Sequence, residues 1–92
     1  MVGVYLPGAF TPNSDGKNDI FKAIVFGKLL SYKLQIFDKL GNMVYYTNDP
    51  SQGWDGRYKG QSFSTAAFVW QCAYQLENKL PVLDKGSVIL IR

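Results

Sequence analysis

The sequence predicts an all-β fold, an antiparallel sandwich or barrel of about six to eight short strands with little helix. Three observations carry this. Segments 32–37 and 66–76 alternate large apolar residues with polar or small ones at period two. Apolar residues at helical spacing are nearly absent. Clusters of Gly, Pro, Asn and Asp interrupt the apolar runs at short intervals, as turns between strands do.

Taken in order, the first strand is expected near 2–6 and a short one near 20–26. In 32–37, Tyr32, Leu34 and Ile36 share one face, and Lys33 and Gln35 the other. Lys39-Leu40-Gly41-Asn42 then reads as a turn, with Gly41 suited to a positive φ. Met43-Val44-Tyr45-Tyr46-Thr47 is rich in strand formers and should close a hairpin with 32–37. The strongest strand is 66–76. Phe68, Trp70, Cys72, Tyr74 and Leu76 form its core face, opposite Val69, Gln71, Ala73 and Gln75. The last strand is expected over 86–91. It is apolar on both faces, which implies burial on both sides or pairing deep in a sheet. Two long polar connections remain, 7–19 and 48–65. Loops of this length in so small a domain are uncommon unless structured or functional.

Ninety-two residues make one domain. Such a chain buries only about 60–65% of its unfolded surface, so its apolar residues must be well used. It has them: 47% are hydrophobic and 18% charged, against roughly 25% charged in average domains. The net charge of +3 is spread over eight scattered lysines, and arginine occurs only at 57 and 92. This favours solubility over nucleic-acid binding, and no nucleic-acid partner is expected. Cys72 is the only cysteine, so no internal disulfide forms; it reads as a small buried hydrophobe. No run approaches membrane-spanning length, and Met1-Val2-Gly3-Val4-Tyr5 is not the start of a secretory signal.

The two polar connections and the last strand carry a family resemblance. Phe10-Thr11-Pro12-Asn13-Ser14-Asp15-Gly16-Lys17-Asn18-Asp19 resembles the "FTPNGDGxND" opening of the gliding-motility-associated C-terminal domain. Leu34 to Tyr45 resembles its "xIFNRWGxxVF" hairpin, Gly53 to Gly60 its "GWDGxxxG" segment, and Lys85 to Arg92 its "KGxxxLIR" terminus. The order and spacing match over nearly the whole chain. Three positions differ: Leu40 stands where the family has Trp, Ser14 replaces a Gly, and Ser64 to Phe68 replaces "PSGVY".

The resemblance implies an Ig-like antiparallel β-sandwich of about seven strands. It also implies a type B sorting signal of the type IX secretion system of Bacteroidota. Residues 1–92 are then expected to be a single sorting domain excised from a larger secreted parent. Its partners would be the fused passenger and the secretion apparatus, including an outer-membrane β-barrel protein. The passenger would pass through the periplasm to the cell surface or medium, and the isolated domain would be a monomer. The recognised element is expected to be Val88-Ile89-Leu90-Ile91-Arg92. Chain ends usually fray and are polar, whereas this one is apolar, so it should be a strand held in the sheet with its edge offered to a partner. Gly16, Gly41, Trp54, Gly56 and Trp70 are expected to be structural.

The residues also bear on other chemistries. Asn13, Asp15 and Asp19 offer hard oxygen ligands at alternate loop positions, a candidate calcium site. The spacing is not that of an EF-hand, and Asx-turns explain the same residues. Trp54, Tyr58 and Phe63 could make a sugar-stacking platform, which with an Ig-like fold gives the alternative of an adhesion or carbohydrate-binding module. They read better as core lids. Catalysis has little support. His is absent, Cys72 has no activating base, and Asp49 and Asp55 lie in turn-forming sequence. The expected function is therefore non-catalytic targeting, with no cofactor unless the 13–19 loop takes calcium.

Overall fold

The computed structural model describes residues 3–12 and 19–91. Asn13, Asp15, Gly16 and Arg92 lie outside the described residues. The described chain has nine strands and no helix: β1 Gly3–Tyr5, β2 Ala9–Phe10, β3 Ile24–Phe26, β4 Leu29–Phe37, β5 Met43–Thr47, β6 Arg57–Tyr58, β7 Gln61–Ser62, β8 Ala66–Leu76 and β9 Val82–Leu90. The expected all-β, sandwich-like class is observed. The extra strands are two-residue pairings inside the long polar connections.

One layer is a five-stranded sheet in the order β2-β9-β8-β4-β5. All its pairings are antiparallel except β2 with β9. Over its inner face lie the β1–β3 ribbon and the segments joined by a single bridge between Phe21 and Trp54, while the small β6–β7 ribbon sits next to β5. Tyr32, Leu34, Ile36, Val44, Phe68, Trp70, Cys72, Val88 and Leu90 point inward from the sheet, and Phe21, Ala23 and Trp54 meet them from the other layer. The period-two faces of 32–37 and 66–76 thus appear in the expected register.

The β4–β5 turn is built by one carboxylate. Asp38 Oδ1 accepts the Leu40 and Asn42 N–H groups at 2.9 Å each. Gly41 takes φ +88°, as expected of it.

Two expectations about the last strand are corrected. It starts at Val82 rather than at 86, because β8 is long enough to pair with it back to Tyr74. It is also not buried on both sides, although it does pair within the sheet, between β2 and β8. The second layer covers one sheet face only, so Val88 and Leu90 are fully buried while Ile89 and Ile91 are 47% and 43% exposed.

Candidate recognition surface

The terminal segment is anchored along both of its edges. On one side Leu90 pairs with Ala66 and Val88 with Phe68 of β8. On the other, Ile89 N–H donates to the Gly8 carbonyl at 2.9 Å and Ile91 N–H to the Phe10 carbonyl at 3.0 Å. The expectation that this end is a paired strand is met. The expectation that its backbone edge is open is not: over 89–91 that edge is occupied by β2. The short stretch Ala9–Phe10, which opens the first polar connection, does this.

Beneath this end lies an aromatic cluster. The Trp54 ring sits 4.9 Å from Phe68, 5.6 Å from Phe10 and 6.0 Å from Phe63, centre to centre, in tilted or edge-on arrangements that aromatic quadrupoles favour. Phe21 joins it through Phe10 at 5.9 Å. Trp54 Nε1 donates to the Arg57 carbonyl at 2.8 Å, so the polar atom of a buried indole is satisfied. The chain turns around it at Gly56, φ +82°. Gly53 has a steric role. The Phe21–Trp54 bridge brings two backbones together, and a Cβ on Gly53 would lie 2.7 Å from Lys22 Cβ and 2.8 Å from the Phe21 carbonyl oxygen. Segments far apart in sequence, the Phe10 opening, the Gly53–Gly56 turn and the terminal strand, are therefore one packed unit.

The buried Trp54 ring has no face to offer a sugar. Of the proposed platform, Tyr58 is exposed and Phe63 packs against the core. The acids of the second connection are turn builders. Asp49 Oδ1 accepts from Ser51 N and Oγ at 2.9 and 2.7 Å, and Asp55 Oδ1 from Arg57 N at 3.1 Å. Those bonds hold the Asp49 carboxyl below its usual range. Burial, with a smaller push from Asp84, raises the Cys72 thiol to about 11, away from nucleophilic chemistry. Among the described residues no group of three or more His, Cys, Asp or Glu side chains gathers to hold a metal. Of the calcium candidates, only Asp19 is among those residues.

Residues 4–90 match the family of the CHU_C type IX secretion signal domain. The chain belongs to that family. No curated protein matches it. A type IX secretion signal domain engages the secretion machinery, and its cargo is exported to the cell surface or the extracellular space. Within this family assignment, the outer sheet face gains interest. Met43 pairs with Phe37, Phe37 with Val69, and Ala67 with Ile89, giving an apolar band across the solvent side up to the terminal strand. Leu40, 87% exposed, stands at the hairpin tip beside it. The band is not legible in the sequence. Its members come from four strands, and only the register between strands aligns them.

Proposed function

We propose that this domain is a non-catalytic targeting module. It carries a fused passenger from the periplasm across the outer membrane to the surface or medium, by docking its folded C-terminal end on an outer-membrane β-barrel partner. One observation supports this best. In a member of a secretion signal family, the end of the last strand, from Ile89 on, is fixed on both edges, by β8 and by β2. A partner then meets a preformed surface, and little ordering entropy is lost on docking. The lack of His and the buried Cys72 support the non-catalytic part.

The test is a periplasm-targeted fluorescent passenger joined to this chain in a type IX-competent cell. The intact fusion is expected outside the cell, and a fusion lacking 88–92 in the periplasm. Deletion also removes Val88 and Leu90 from the core, so Arg92→Ala is the companion variant; it leaves the buried strand intact. Retention of the Arg92→Ala fusion assigns recognition to the terminal charge. Export of the truncated fusion at the intact level would refute docking through this end.

A further inference from the structure

Beside the stretch held by β2, the last strand has a main-chain edge that no strand among the described residues pairs. Along a strand, the N–H and C=O of one residue point the same way, and successive residues alternate sides. Ile89 and Ile91 direct theirs to β2. Leu83, Lys85 and Ser87 therefore direct theirs to that same side, away from β8. Among the described residues no strand pairs with them; β2 reaches only Ile89 to Ile91. One of the outward donors has a cover. Lys85 N–H donates to Oδ1 of the neighbouring Asp84 at 3.0 Å, in a bond exposed to solvent. Val82 and Leu83 flank it with exposed apolar side chains. Soluble proteins usually blunt such an edge, since it is a template for another strand.

We propose that residues 83–87 form a docking edge that adds one extended strand of the secretion machinery to the sheet, with Asp84 as a displaceable cap. This rests on the targeting reading above. Strand addition draws affinity from main-chain hydrogen bonds and specificity from the side chains opposite.

A second copy of this chain is a poor occupant. In a symmetric antiparallel pair, outward-facing residues must lie opposite outward-facing ones. Centring on Asp84 sets Asp84 against Asp84, and centring on Lys85 sets Lys85 against Lys85; like charges directly opposite are destabilising. Centring on Leu83 sets Pro81, which has no N–H, against Lys85. Centring on Gly86 runs into β2 at Ile89. The fitting occupant is a foreign strand with a cation opposite Asp84 and an anion or neutral residue opposite Lys85.

The experiment compares fluorescent fusions carrying the native domain, Ser87→Pro, and the charge exchange D84K/K85E. Ser87→Pro removes an outward N–H while leaving the β8 ladder intact, a placement that sheet edges tolerate. Each variant is expected to lower the exported fraction roughly tenfold, with the purified domain still folded. If Ser87→Pro fails to fold, the charge exchange decides alone, since both of its side chains are exposed. Export of a folded variant at the native level, with the native fusion exported, would overturn the docking edge and leave the targeting reading standing. A native fusion that is not exported, or is exported without the machinery, fails the targeting reading itself. Sedimentation of the purified domain tests the occupant: a monomer is expected, and a dimer abolished by Ser87→Pro would make a second copy the partner.

Discussion

Gly86 owes its identity to a ring on the next strand. A Cβ there would lie 2.5 Å from Trp70 Cζ2 and 2.8 Å from Cε2, so the indole lies directly on the backbone of β9. Gly86→Ala should cost about 1–3 kcal/mol in urea unfolding, because the ring must shift within a packed core. In a Trp70→Phe background the same change should cost clearly less, since the clashing atoms are gone; equal costs would contradict the contact. Cys72 offers a second test at this scale. Burial raises its thiol from the usual 9.0 to about 11, and burial likewise raises the Tyr32 hydroxyl. In both, the fold favours the protonated form. The unfolded chain therefore releases these protons first as pH rises. Their contribution is complete below about pH 9, and for Cys72 it is lost as pH climbs to about 11. The melting temperature should fall across that window, and Cys72→Ala should reduce the fall. Trp54 and Trp70 were legible as core from their settings, one in a Gly-flanked turn and one mid-strand. The reason for Gly86 was not, because it depends on which residue faces it across the sheet.

At the scale of elements, alternation placed β4 and β8 and strand-forming composition placed β5, with β5 and β8 at their observed bounds. Period two is a local property, and β4 and β8 each turn one face to the core and the other outward. The last strand misled because Ile89 and Ile91 are apolar yet lie on the uncovered face. The short strands β2, β6 and β7 were not legible either. Two residues carry no period, and Ala9–Phe10 is a strand only because β9 lies beside it. The ladder makes a direct prediction for hydrogen exchange. The amides of Ile89 and Ile91 should be protected, being bonded to Gly8 and Phe10, whereas those of Leu83 and Ser87 should exchange rapidly. Rapid exchange at Ile89 and Ile91 would mean that β2 does not hold the strand end.

At the scale of the molecule, a small two-layer fold is stabilised where its motifs meet. The Phe10 opening, the Trp54 turn and the terminal strand pack together, so a signal spread along the chain becomes one surface. Their meeting was not legible in the sequence, although each motif was. The surface leaves an apolar band, a capped edge and an anchored strand end facing outward, features that suit a module made to be bound. The measurement that tests this most directly is the partition of a periplasm-targeted fluorescent passenger fused to the domain. It is compared in a type IX-competent strain and in the same strain lacking the secretion machinery. The account predicts fluorescence outside the first strain and trapped in the periplasm of the second. Equal partition in the two strains would contradict it.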